Sequence, residues 1–174
     1  MTTAQHPSII IRRAVPSDLG ALWALSHELR QSKSNDYFEK NFAEQNLGYR
    51  ELFIAAYDGE NAGYCILNWD PKYAYFRSHN IPETQDLNVL SKFRRRGIAT
   101  ALIHHCEELA RTRGKKTMGI SVGLNASFGP AQKLYVKMGY IPDGHGVTYD
   151  RRSVGAGAFH PVDENLCLMM EKNL

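Results

Sequence analysis

The sequence has 174 residues, 43% hydrophobic and 22% charged, which argues against a disordered chain and suits a single domain spanning 1–174. Lysine and arginine number 21 against 18 acidic residues; a net charge of +3 is too small to mark a nucleic-acid binder by bulk electrostatics. No apolar run approaches the roughly 18 residues that a membrane span needs, so no membrane partner is expected.

The opening MTTAQHPSIIIRR holds no long apolar stretch and no cleavage-like site, so no secretory leader is expected. Cys65, Cys106 and Cys167 are odd in number and far apart, with no CxxC pair. They suggest neither a zinc site nor a disulfide framework, and the expected setting is the reducing cytoplasm.

In chain order, the β-branched run within Ser8 to Arg12 predicts a first strand. Pro16-Ser17-Asp18 opens a helix, with Leu19, Leu22, Trp23 and Leu29 on one face. Ser32 to Asn35 breaks the pattern, and Phe38 and Phe42 suggest a second, short helix. Glu51 to Tyr57 and Gly63 to Trp69 read as strands joined at Asp58-Gly59, a hairpin signal. Asp70 to Glu83, with two prolines and several aromatics, reads as a loop, and Gln85 to Leu90 as a fourth strand. Gly97 to Arg113 is the clearest helix, with Ile98, Leu102, Cys106 and Leu109 in one stripe and Gly114 as its stop. Thr117 to Val122 is a fifth strand. Ala131, Leu134, Tyr135 and Met138 share a helical face that ends at Gly139. Pro142 to Asp163 reads as a long glycine-rich loop, and Asn165 to Glu171 as the last strand.

The most informative stretch runs from Asp86 to Ala101: a strand, a basic turn, then a glycine opening a long amphipathic helix. A helix N-terminus carries unpaired backbone N–H groups and the positive end of the macrodipole, so anions bind there. Gly97 and Ala99 keep Cβ bulk away from such an anion, and Arg94, Arg95 and Arg96 add charge. Neither GxxxxGK[ST] nor GxGxxG occurs. Taken alone, the arginines read as a solvated charge run capping an ordinary helix.

Arg94-xx-Gly97-x-Ala99 after Leu87-x-Val89 resembles the acetyl-CoA signature of the GNAT N-acetyltransferases. Ala131-xx-Leu134-Tyr135-xxx-Gly139-Tyr140 resembles that family's second motif, in the same order and spacing. The opening Ile11-Arg12-Arg13-Ala14 followed by Asp18 resembles its usual start, and Gly139 to Gly144 resembles bacterial members. The resemblance spans about Ile9 to Glu171. It implies an α/β fold of mixed α+β type: a twisted mixed sheet flanked by helices, whose central parallel strands Gln85–Leu90 and Thr117–Val122 splay to admit the pantetheine arm of acetyl-CoA. The backbone of Leu87 and Val89 would pair with the pantetheine amides. The turn Arg94, Arg95, Arg96, Gly97 and the helix start Ile98, Ala99, Thr100 would cradle the pyrophosphate. A homodimer is a further family expectation.

The reaction implied is attack of a primary amine on the thioester through a tetrahedral intermediate. Tyr135 matches the family tyrosine near the sulfur and would protonate the thiolate; core packing alone also explains its position. Asp86 is the candidate base, or holder of the acceptor amine, if strand alternation turns it opposite Leu87. Many members carry a glutamate where this chain has Gln85; Glu83 and a held water are the fallbacks. The resemblance makes the Val89 N–H the oxyanion donor. Asn125 resembles a CoA-contacting asparagine, though its spacing to Ala131 is longer than usual. His104 and His105 sit mid-helix, and no metal is expected. Trp69, Tyr73, Tyr75 and Phe76 either wall the acceptor site or pack locally.

Two other readings remain. One is a non-catalytic CoA-binding regulatory domain. The other is a nucleic-acid-binding module, carried by Lys92 to Arg96 and Arg111 to Lys116; these clusters sit at opposite ends of one helix. The acceptor, a small-molecule or protein amine, has no recognisable specificity motif.

Overall fold

The first strand, β1 (Ile9–Arg13), pairs antiparallel with β2 (Arg50–Tyr57), from Ile9↔Tyr57 to Arg13↔Phe53. The computed structural model describes residues 8–174; the first seven residues, on which part of the leader reading rests, lie outside the described residues. Asp58-Gly59 closes the tight turn from β2 into β3 (Glu60–Asn68). Both faces of β2 are covered, as the burial of Leu52, Phe53, Ile54 and Ala55 shows.

Pro16–Asp18 forms a single 3₁₀ turn leading into α1 (Leu19–Glu28). The Asp18 carboxylate accepts the Val15 N–H at 2.8 Å and both terminal nitrogens of Arg12 at 2.7 and 2.6 Å. The hydrogen bonds from Arg12 hold the Asp18 carboxyl below the usual carboxylate range. A carboxyl depressed in the folded state stabilises the fold above its unfolded pKa of about 4, and that contribution fades as the pH falls through the lower folded value. Asp18→Asn is therefore expected to lower the urea midpoint at pH 7 and to flatten its decline below about pH 4.

Helix α2 (Tyr37–Asn46) buries Phe38 and Phe42, as their four-residue spacing predicts. The segment expected to be a loop from Asp70 to Glu83 instead contains a short helix, α3 (Ala74–Ser78). Five residues are too few to show a helical period. Tyr73, Phe76 and Ile81 pack with Met169 into a buried cluster, with Tyr75 half-buried beside it.

Strand β4 (Glu83–Val89) precedes a 3₁₀ turn and α4 (Ile98–Thr112), whose Ile98, Leu102 and Cys106 are buried. Gly114 ends this helix at φ +71°, with the Lys115 N–H returning to the Ala110 carbonyl at 2.9 Å. Next come β5 (Thr117–Gly123), a 3₁₀ turn at Ala126–Phe128 and α5 (Gly129–Lys137).

The expected long loop from Pro142 to Asp163 is also corrected. It holds most of β6 (Ile141–Tyr149) and all of β7 (Arg152–Ser153). Strand β6 pairs with β8 (Leu166–Asn173) in two stretches with a register shift between Pro142 and Val147. Gly144 and Gly146, at φ +84° and +78°, lie inside that shift. The bulge they make possible erased the alternation that would have announced a strand.

The chain divides into two compact units, Met1–Leu67 with Asp86–His105, and Asn68–Gln85 with Cys106–Leu174. The first contains β1-β2-β3 and the end of β4; the second contains the start of β4 and β5-β8-β6-β7. All eight strands form one mixed sheet in the order β1-β2-β3-β4-β5-β8-β6-β7. Cys65, Cys106 and Cys167 are buried and free of disulfides.

Candidate active site

Strand β4 pairs in parallel with β5 at its first two residues, Glu83↔Gly119 and Thr84↔Ile120. Two residues further on, Asp86 takes φ +47°. A left-handed residue interrupts the pleat, so the simple alternation expected to turn Asp86 opposite Leu87 does not hold there. The Asp86 carboxylate is held from several sides. Oδ1 accepts from Lys33 Nζ and Asn88 Nδ2, each at 2.8 Å, and Oδ2 accepts from the Tyr37 hydroxyl at 2.9 Å.

A second layer supports this one. The Tyr64 hydroxyl donates to Gln31 Oε1 at 2.6 Å, and Gln31 Nε2 donates to Asn88 Oδ1 at 2.7 Å. Lys33 Nζ also lies 4.5 Å from the centroid of the Tyr37 ring. Burial, then the Asp86 charge, pushes the hydroxyls of Tyr37 and Tyr64 upward, so both stay protonated donors at neutral pH. A carboxylate offers about four acceptor positions; these three donors take most of them, and the Tyr64 hydroxyl also stands within reach of the same carboxylate. Gln31, Lys33, Tyr37 and Tyr64 carried no local sequence signal, because each reaches its partner across 33 to 57 residues.

The basic turn follows β4 directly. The Leu90 N–H donates to the Ala62 carbonyl at 2.8 Å, and the chain then passes through left-handed backbone at Arg95 (φ +59°) and Gly97 (φ +84°). The Ala101 N–H donates to the Gly97 carbonyl at 2.9 Å, so the helix ladder begins there. The N–H groups of Ile98, Ala99 and Thr100 are thus first-turn donors with no intrahelical acceptor. Left-handed turns next to a helix start gather such donors into a concave anion cradle. Gly97 serves by its dihedral angle, since an added Cβ would meet only Ile9 Cδ1, at 3.8 Å.

The three arginines differ in setting. Arg94 Nε donates to the Val89 carbonyl at 3.3 Å, and the Arg96 guanidinium lies over Tyr57 and Phe93 at 4.9 and 5.7 Å. Arg95 is exposed at the turn. Leu87, Val89 and the run from Arg94 to Thr100 all fall within one continuous stretch of the first unit. The other basic cluster is locally engaged too: Arg111 pairs with Glu108, and the Arg113 guanidinium lies 3.9 Å from the Trp69 ring centroid.

In the second unit, Tyr135 is 6% exposed on α5, its ring centroid 6.3 Å from that of Tyr140. The Tyr140 hydroxyl donates to buried Glu107 at 3.0 Å, and Lys172 Nζ donates to the same oxygen at 2.8 Å. Asn125 caps the turn it opens, its Oδ1 accepting from the Ser127 N–H at 2.9 Å and the Ser127 hydroxyl at 2.5 Å. The extra residues before Ala131 form this 3₁₀ turn and the first residues of α5. Glu83 has a fully buried side chain and accepts from Arg151 at 2.9 Å and Gln85 Nε2 at 2.8 Å. Among the described residues, no three His, Cys, Asp or Glu side chains cluster as metal ligands, and no helix is long and apolar enough to cross a membrane.

The fold is shared with solved structures of other acetyltransferases. A ribosomal-protein-alanine N-acetyltransferase from Brucella melitensis is 20% identical, with a TM-score of 0.69 over 95% of this chain and 99% of its own. An N-acetyltransferase from Staphylococcus aureus is 19% identical, with a TM-score of 0.69 over 95% and 98%. An aminoglycoside 6′-N-acetyltransferase complexed with coenzyme A is 18% identical, with a TM-score of 0.67 over 94% and 96%. No curated protein matches the sequence. The acetyltransferase (GNAT) family profile matches residues 19–140, which takes in both the basic turn and the helix of Tyr135. The match covers well over half of the sequence, and this chain belongs to the acetyltransferase (GNAT) family.

Proposed function

We propose that the protein moves the acetyl group of acetyl-CoA to a primary amine by direct attack, with residues 1–174 working as one acetyltransferase domain. The observation that carries this reading is the turn at Arg95 and Gly97, which sets the first N–H groups of α4 beside three arginines. The cosubstrate supplies an acyl group already activated as a thioester. In this reading Arg94, Arg95 and Arg96 offset the pyrophosphate charge, and the N–H groups of Gly97, Ile98, Ala99 and Thr100 bond its oxygens. The main chain of Leu87 and Val89 takes the pantetheine amides as an added strand would, and Asn125 adds a contact. The short β4–β5 register supports that role, because buried backbone groups need partners.

The C–N bond forms as the amine attacks, and the Val89 N–H steadies the oxyanion. The C–S bond then breaks, and Tyr135 gives its phenolic proton to the leaving thiolate. Asp86 takes the acceptor side. With Lys33, Asn88 and Tyr37 already on its oxygens, it is better suited to holding the amine than to removing a proton unaided. The amine proton leaves to Asp86 or to a water held beside it. Neighbours that act on a protein alanine and on an aminoglycoside support an amine acceptor without choosing between those classes. Three buried, unlinked cysteines support a cytoplasmic setting.

Calorimetry with acetyl-CoA and CoA tests the reading. Wild type is expected to bind both. Gly97→Val is expected to bind at least about 100-fold more weakly, since a β-branched residue resists φ > 0 and the rearranged turn misplaces several charge-assisted bonds. Absence of heat with folded wild type would overturn the assignment.

A further inference from the structure

A recess of about 400 Å³ lies within the second unit, lined by residues 72–75, His145 and residues 151–153. Its lining combines flat rings with cations. The Tyr75 ring lies 4.3 Å from His145 and 4.3 Å from His79, and it is half-buried, so part of it faces solvent. Tyr73 is buried, and its hydroxyl donates to Asp143 at 2.7 Å. Lys72, Arg151 and Arg152 supply positive charge in the lining, while Glu171 and Asp143 stand close enough to reinforce the burial that pushes up the Tyr75 phenol, and Asp150 pairs with Lys72.

The cations are not equally engaged. Lys72 pairs with Asp150 at 2.7 Å, but both side chains are more than half exposed, so the pair is weak. Arg151 uses one terminal nitrogen for Glu83, at 2.9 Å, and Ser121, at 3.2 Å. A guanidinium carries five N–H donors, so Arg151 retains donors beyond those two bonds. Arg152 is exposed and belongs to no salt bridge among the described residues, although the Asp150 carboxylate feels its charge. The turn that presents these arginines is the two-residue connection of β6 to β7, closed by the pair Tyr149↔Arg152, and such a hairpin needs the left-handed backbone that Asp150 and Arg151 adopt at φ +47° and +65°.

We propose that this recess binds the carboxylate of an aromatic, carboxylate-bearing amine, with Arg152 and Arg151 on the carboxylate and Tyr75 against the ring. Calling that molecule the acceptor rests on the acetyl-transfer reading; the binding itself does not. The test is calorimetry with N-acetyl-tyrosine and its amide, without cosubstrate, alongside a separate titration with CoA. The acid is expected to bind wild type roughly tenfold more tightly than the amide, as a charge-assisted contact is worth. Arg152→Ala, at an exposed site, is expected to reduce that preference severalfold, Arg151 keeping the remainder, and Tyr75→Ala to weaken both ligands. Equal affinity for acid and amide in wild type, or a preference left unchanged by Arg152→Ala, overturns the proposal. Loss of CoA binding alone sinks the transferase reading and leaves the recess to be judged on the acid and amide.

Discussion

Tyr135→Phe is expected to lower kcat by about 10²–10⁴-fold, the usual worth of a general acid, while acetyl-CoA affinity stays unchanged. The phenylalanine ring keeps nearly all of the volume of a side chain that is 6% exposed, so packing on α5 is preserved. Only the hydroxyl is lost, and the variant must release a thiolate with no phenol to protonate it. If Tyr135 served packing alone, the same change would cost about 1 kcal/mol of stability for a lost hydrogen bond and leave turnover intact. Two measurements separate these outcomes: thiol release under saturating acetyl-CoA and amine, and the thermal midpoint. An unchanged kcat removes Tyr135 from the chemistry.

The basic turn and Asp86 differ in how much of each is written locally in the sequence. The basic turn, Gly97 and the stripe Ile98, Leu102, Cys106 lie within 13 consecutive residues, and their spacing alone exposes a helix start able to hold an anion. The setting of Asp86 is assembled from Lys33, Tyr37, Gln31 and Tyr64, across tens of residues. No local period records such pairings. The positive φ at Asp86 is likewise set by tertiary contacts, since aspartate has no strong intrinsic demand for it. The same logic explains the two misread segments. Helix α3 is shorter than two turns, and β6 hides its alternation behind the shift between Pro142 and Val147. The strand at Ile9–Arg13 is legible from its three isoleucines, and that at Arg50–Tyr57 from Phe53, Ile54 and Tyr57 ahead of the Asp58-Gly59 turn.

Arg151→Met is expected to destabilise the protein by about 3–5 kcal/mol, the cost of stranding one partner of a buried ion pair. Glu83 carries a fully buried side chain, and Arg151 is its cationic partner at 2.9 Å. Without the guanidinium, that carboxylate is left in a poorly solvated place with no cationic partner. Gln85 Nε2 still donates to it at 2.8 Å, but a neutral amide offsets only part of the charge. Arg151 also sits at the second central position of the β6–β7 turn, where its backbone is left-handed at φ +65°, so a substitution there acts on the turn as well as on the pair. Urea unfolding of the single variants and of the double variant Glu83→Gln with Arg151→Met isolates the pair. The double variant is expected to recover most of the loss, because no charge is then left buried. If both Arg151 variants lose the same stability, the turn rather than the ion pair carries the effect. Glu83 would then be released from its structural duty, and its standing as a fallback base would rise.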